Sequence, residues 1–134
     1  MRRLGWLVAV AALAGCPSEK KEAVDAGPPG PKQLTEKEPN DRPEQAQPIT
    51  ESSIVSANLT ADPSKPDEDW YSLESAAPKT VDLTVSGIPG GDVMLEIYDQ
   101  DKNRLVSVNS EGEGKPERIP NVGLKGKLYV KVTA

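Results

Sequence analysis

The feature that most constrains the fold is a period-two alternation of apolar and polar side chains in short segments. Alternation with this period puts the apolar side chains of a strand on one face, so each segment is predicted to be a half-buried strand. The clearest segments are 81–85, 93–97 and 128–132. Further strands are predicted at 54–59, 70–73 and 105–108. Turns rich in Gly, Pro, Asp and Asn separate them. The pattern predicts an all-β fold, an antiparallel β-sandwich.

The N-terminus has a different character. Arg2 and Arg3 precede an apolar run, and small residues stand just before Cys16. As a helix, the apolar run from 4 to 15 would be about 18 Å long, too short for a bilayer core of about 30 Å. A positive start, a short apolar run and small residues are typical of a secretory signal peptide. Residues 1–15 are therefore predicted to be a signal peptide.

Leu13-Ala14-Gly15-Cys16 resembles the lipobox of bacterial lipoproteins. The resemblance implies that the signal is removed before Cys16 and that the sulfur of this residue carries a covalent lipid. Membrane attachment would then depend on the acyl chains. Pro17 stands where an aspartate would mark inner-membrane retention in some bacteria, so we expect an outer-membrane location.

The segment that follows is predicted to be a tether. Residues 16–34 are rich in Pro, Gly and charged side chains and offer almost nothing to bury. Such a segment cannot offset the entropy lost on ordering, and its Pro-rich part favours extended geometry. The folded domain is predicted to span 35–134.

Composition excludes several kinds of chemistry. The chain has no His and a single Cys, which excludes Ser-His-Asp and Cys-His catalysis, His zinc sites and an internal disulfide. Without Arg2 and Arg3 it carries 14 basic and 21 acidic side chains, a balance that argues against a nucleic-acid partner. The remaining oxygen-bearing side chains suit a hard cation.

Four segments carry a second resemblance. They are Glu-Lys-Glu-Pro-Asn-Asp at 36–41, Asp-Glu-Asp-Trp-Tyr-Ser-Leu at 67–73, and the strand-like runs 91–99 and 127–132. Their order resembles the bacterial pre-peptidase C-terminal domain, the family that includes the collagen-binding modules of clostridial collagenases. The resemblance covers 35–134 and implies a jelly-roll-like β-sandwich that binds protein or polysaccharide and is not an enzyme. The family usually has one more strand after the last of these runs.

The same resemblance implies a calcium site. By position, the ligands would be Glu36, Glu38, Asn40, Asp41, Asp67 and Asp69. Independently of any family, carboxylates brought close together repel, and a divalent cation reverses the sign of that interaction. The alternative is a solvated acidic loop in which Asn40 and Asp41 cap turns.

Two other questions stay open in the sequence. Trp70 and Tyr71 could form a ligand platform for sugar rings, or one of the two could simply belong to the core. The leading function is a lipid-anchored envelope module that binds a protein or polysaccharide. The alternatives are an anchored part of a larger secreted hydrolase, a glycosidase acting through paired carboxylates, and a purely structural spacer.

Overall fold

The computed structural model describes residues 5–12, 28–60, 62 and 64–134, which form an all-β fold. The strands are β1 (Gly5–Ala12), β2 (Lys32–Thr35), β3 (Gln47–Pro48), β4 (Ser53–Asn58), β5 (Glu68–Val85), β6 (Met94–Tyr98), β7 (Arg104–Val108) and β8 (Glu117–Thr133). The one helical turn in the described residues is a 3-10 turn at Pro43–Gln45. None of the described helical structure is long and apolar enough to cross a membrane.

The strands form one open, mixed sheet in the order β2-β4-β1-β5-β8-β6-β7, with β3 paired to β5. The pairings divide it into two layers. One holds β2, β4, β1, the second half of β5 and the first half of β8; the other holds β3, the remaining halves of β5 and β8, β6 and β7. Apolar residues of both layers form one core cluster. The predicted sandwich-like, all-β fold is confirmed.

Two pairings are parallel, in contrast to the purely antiparallel sheet that was predicted. They join β2 to β4 and β3 to β5. A parallel pair needs a connection long enough to return the chain to its starting end. Residues 36–52 provide that return between β2 and β4.

The longest strands, β5 and β8, belong to both layers. The segments 70–73 and 81–85, predicted as separate strands, are the two halves of β5, which pairs with β8 from Glu68–Thr133 to Val85–Glu117. Shifts of register after Ser75 and after Val81 interrupt the ladder. Bulges of this kind bend a strand and increase its twist, which lets one continuous strand turn the corner between layers.

The strand β1 lies inside the segment predicted to be a signal peptide. It is antiparallel to β4 on one side and to β5 on the other. Its Val8 and Val10 are buried in the core, at 0% and 3% exposure. The structure thus describes the chain with this segment in place, and Cys16 lies outside the described residues.

The folded part begins slightly earlier than predicted. The domain was expected to start at residue 35, but β2 starts at Lys32, whose backbone N–H donates to Ser52 O at 2.8 Å. Leu34, between polar neighbours, packs against the core. Three residues of the predicted tether, 32–34, are therefore part of the sheet edge.

One turn contact constrains the loops between strands. Gly87 lies so close to the backbone of Gly114 that a Cβ atom on Gly87 would overlap the Gly114 carbonyl. The N–H of Gly114 also donates to Gly91 O at 2.9 Å. A side chain at position 87 would therefore separate the two loops.

Candidate metal centre

Sheet pairing brings two distant acidic segments together at one end of the sandwich. Glu36 follows β2 and is fixed beside β4, because its N–H donates to Ser56 O at 2.9 Å. Asp69 is the second residue of β5. The next N–H along β5, that of Trp70, donates to Asn40 O at 2.8 Å and holds the 36–41 segment against the start of the strand.

Three carboxylates converge at this point. One oxygen from each of Glu36, Glu38 and Asp69 lies within 4.8 Å of the others. Asp69 is 0% exposed, Glu36 is half-buried and Glu38 is exposed. The cluster therefore runs from the protein interior to the solvent, so a small ion can reach it.

Asp69 has no partner for its charge. Neither of its carboxylate oxygens accepts a hydrogen bond from any described residue. An unpaired buried charge is among the most unfavourable groups in a folded protein, and buried polar atoms are almost always satisfied. Asp69 and Glu36 can form a hydrogen bond with each other only when one of them is protonated, because ionised carboxylates only accept. This arrangement requires either a proton or a cation.

Glu36, by contrast, is firmly held. Its Oε1 accepts from the Tyr71 hydroxyl at 2.8 Å and from Asn40 Nδ2 at 3.2 Å. Its Oε2 accepts from the backbone N–H of Asn58 at 2.9 Å. A carboxylate has about four acceptor sites, so Glu36 retains room for one more interaction while its orientation is fixed.

The electrostatics follow from this crowding. Burial, and next the charge of Glu36, raise the pKa of Asp69 to about 9. Burial also raises the pKa of Glu38, although the N–H of Asn40 acts in the opposite direction. The pKa of the Tyr71 hydroxyl is raised by burial and then by the charge of Asp69. Each carboxylate makes it harder for its neighbours to ionise, as expected for like charges in contact.

The donor set fits a calcium ion. All available ligand atoms are oxygens, which hard cations prefer, and calcium accepts irregular sets of six to eight of them. A fourth protein oxygen is at hand, because Asn40 is 0% exposed and its Oδ1 has no hydrogen-bond partner among the described residues. Solvent at the Glu38 side would supply the remaining ligands.

The other two predicted ligands lie near the cluster but outside it. Asp67 is half-buried and its Oδ2 accepts from Thr60 N at 2.9 Å. Asp41 is exposed. The charges of both contribute to the raised pKa of Glu38. Asp41 and Asp67 therefore strengthen the negative field at the site, but they are not among the three carboxylates that converge there.

Gln47, which the sequence did not indicate as part of the site, holds the acidic segment in position. Gln47, in β3, is buried; its Oε1 accepts from Lys37 N at 2.8 Å and its Nε2 donates to Thr35 O at 3.0 Å. These two bonds fix the backbone on both sides of Glu36. An isolated Gln before a Pro gives no sequence signal for this role.

The pair proposed as a sugar platform is buried. Trp70 is 6% and Tyr71 0% exposed, so neither presents an open ring face. Adjacent strand residues point to opposite faces, and Tyr71 points to Glu36 whereas Trp70 packs on Tyr98 with ring centroids 4.9 Å apart. Lys131 Nζ stands 5.6 Å from the Trp70 ring centroid. Burial of both rings favours the core alternative.

Beside Trp70 lies a second group of charged residues, which is fully paired. Glu96 is 1% exposed and accepts from Lys131 Nζ at 2.6 Å and from Arg104 Nη1 at 3.0 Å. Burial acts to raise the pKa of Glu96, but the hydrogen bonds from Lys131, Arg104 and the Tyr98 hydroxyl outweigh it, so the pKa is lowered. Unlike Asp69, this buried carboxylate needs no ion.

The chain was also compared with known proteins. No protein-family model matches it, and no curated protein matches it either.

Proposed function

We propose that this chain is a non-enzymatic, lipid-anchored module of the bacterial envelope whose β-sandwich is stabilised by a calcium ion at the Glu36–Glu38–Asp69 cluster. One observation carries the calcium part: Asp69 is fully buried, neither of its oxygens has a partner among the described residues, and it faces two further carboxylates. A divalent cation converts that repulsion into attraction.

The geometry supports binding rather than catalysis. Glycoside hydrolysis needs two carboxyl groups about 5–9.5 Å apart, facing each other across a sugar. Here the three carboxylate oxygens lie within 4.8 Å of one another and the innermost residue is buried. That spacing suits one shared cation. The lack of His in the sequence removes the commonest general base.

The anchor part of the proposal is supported by the sequence. Arg2, Arg3, the apolar run and Cys16 stand in the order of a lipoprotein signal. The family resemblance supports an interaction role for the domain, with an envelope protein or polysaccharide as its ligand and the outer membrane as its location. Calcium would fix the end of the sandwich at which residues 36–41 meet β5.

Calorimetry and thermal unfolding of the full chain test the calcium site. With a dissociation constant of about 10⁻⁴–10⁻³ M, about 5 mM calcium should stabilise the fold by about 1–2 kcal/mol. That corresponds to a rise in melting temperature of about 4–7 °C. Asp69→Asn should abolish the rise, whereas Asp101→Asn, in an exposed turn, should leave it intact.

The opposite result is equally clear. If the full chain gives no binding heat and the same melting temperature with and without calcium, the site does not bind calcium. A rise that persists in Asp69→Asn would place the ion elsewhere.

A further inference from the structure

The strand β1 occupies an internal position, with a neighbour on each side. Residues 5–9 pair with β4 and residues 8–12 pair with β5, both antiparallel. Val8 stands directly between Val55 and Val85, and all three are 0% exposed. Val10 pairs with Leu83, which is also 0% exposed. The segment therefore contributes both to the ladder and to the core.

The proposed processing removes this strand. Cleavage before Cys16 takes away residues 1–15 and with them the whole of β1. The facing edges of β4 and β5 then lose their hydrogen-bond partners, and the apolar side chains beneath lose their cover. Unpaired edges of this kind readily accept another strand. Spanning two interstrand spacings, the opening would be about 9–10 Å wide.

We propose that the slot between β4 and β5 is a strand-binding site, which in the processed lipoprotein takes an extended apolar segment of a partner envelope protein. This inference depends on the signal cleavage in the proposed function. The partner strand would add by β-strand addition, antiparallel to both neighbours. It would need apolar side chains at the positions of Val8 and Val10 and would tolerate a polar one between them, at Ala9, which is only half-buried.

The sequence of the tether is unsuited to replace β1 in the slot after cleavage. Its residues 17–31 include four prolines and five charged side chains, with no alternating apolar run. Proline cannot donate to a ladder, and an internal strand must pair on both sides. A partner strand is therefore a better occupant than the tether of the same chain or of a second copy.

Closing the slot by sliding β4 against β5 would disturb the acidic cluster. Glu36 is tied to β4 through Ser56 O at 2.9 Å and through Asn58 N at 2.9 Å, whereas Asp69 belongs to β5. A shift by one strand, about 4.8 Å, would move Glu36 relative to Asp69. With calcium bound to Glu36 and Asp69, as proposed, the cluster would oppose this shift and keep the slot open for a strand.

A strand-exchange experiment on the full chain tests the slot. A protease site replaces residues 20–26, the protein folds with β1 in place, and it is then cut. A fluorescent peptide of residues 4–12 with lysine tags should exchange into the slot at one peptide per protein. A peptide that carries both Val8→Asp and Val10→Asp should bind about 100-fold or more weakly. The matched Ala9→Lys peptide should bind within about tenfold of the parent.

Two outcomes would overturn the proposal. The first is no peptide uptake together with unchanged amide protection of β4 and β5 after the cut fragment has been removed. The second is a dimer of cut protein that excludes the peptide, since a second copy would then fill the slot. The mass of protein isolated from envelopes reports signal removal separately, so an unprocessed chain would contradict the proposed function without affecting the exchange result.

Discussion

Without calcium, the protein should lose stability as the pH rises from about 5.5 to about 7.5. In the folded chain, burial and then the charge of Glu36 raise the pKa of Asp69 to about 9, from an ordinary value of 3.8. Between these values the folded state holds a proton that the unfolded chain has released. The stability that this proton contributes to the folded state is therefore complete below a pH of about 3.8 and is lost as the pH approaches about 9.

The magnitude follows from linkage. One proton more in the folded state lowers the free energy of unfolding by about 1.4 kcal/mol per pH unit, or about 2–3 kcal/mol over the two units. Glu38, whose pKa is also raised by burial, acts in the same direction. The chain has no His to offset the effect. Carboxylates with lowered pKa values, such as Glu96, are ionised in both states throughout this range.

Guanidinium unfolding of the full chain in metal-free buffer measures the slope. Asp69→Asn cannot ionise at position 69, so its stability should fall far less over the same range, with only the contribution of Glu38 left, and above about pH 7 it should exceed that of the parent protein. Saturating calcium should flatten the slope of the parent, because the ion displaces the proton and neither state then holds one at Asp69. Stability that is constant or rises with pH in the metal-free parent would refute the reasoning, as would an equal slope in Asp69→Asn.

Three further perturbations probe other parts of the molecule. Lys131→Met leaves the buried Glu96 with Arg104 and the Tyr98 hydroxyl as partners and should cost about 3 kcal/mol in denaturant unfolding; a loss below about 1 kcal/mol would mean that the remaining partners suffice. Gly87→Ala should cost about 2 kcal/mol or more, because its Cβ overlaps a backbone carbonyl, whereas Gly123→Ala, with open space around it, should change the melting temperature little. Cys16→Ser should abolish labelling by a clickable fatty acid and move the protein from the envelope pellet to the soluble fraction; unchanged pelleting would contradict the anchor.

The sequence predicts those strands whose signal is local. Val81, Leu83 and Val85 alternate strictly, and all three are buried in β5. The continuity of β5 across residues 76–80 was not predictable, since Pro78 and its exposed neighbours resemble a turn. The strand continues there because β8 pairs with it on both sides of a register shift. Such long-range pairing has no local signature.

The convergence of the acidic residues was predictable from the sequence, but the burial of the site was not. Two acidic segments about 30 residues apart along the chain were expected to meet, and Glu36, Glu38 and Asp69 do converge. Complete burial of Asp69 could not be predicted, because it depends on Asn40 docking against the start of β5. The sequence also did not indicate that the Asp67 carboxylate accepts a hydrogen bond from the N–H of Thr60.

The shared strands also govern when the domain can form during synthesis. Glu68 pairs with Thr133, and Val85 pairs with Glu117. Neither layer can be completed before the ribosome has made β8, and loop closure over such separations is slow. A chain that stays unfolded until this late stage remains threadable through a secretion channel, as the signal peptide that we propose for residues 1–15 would require.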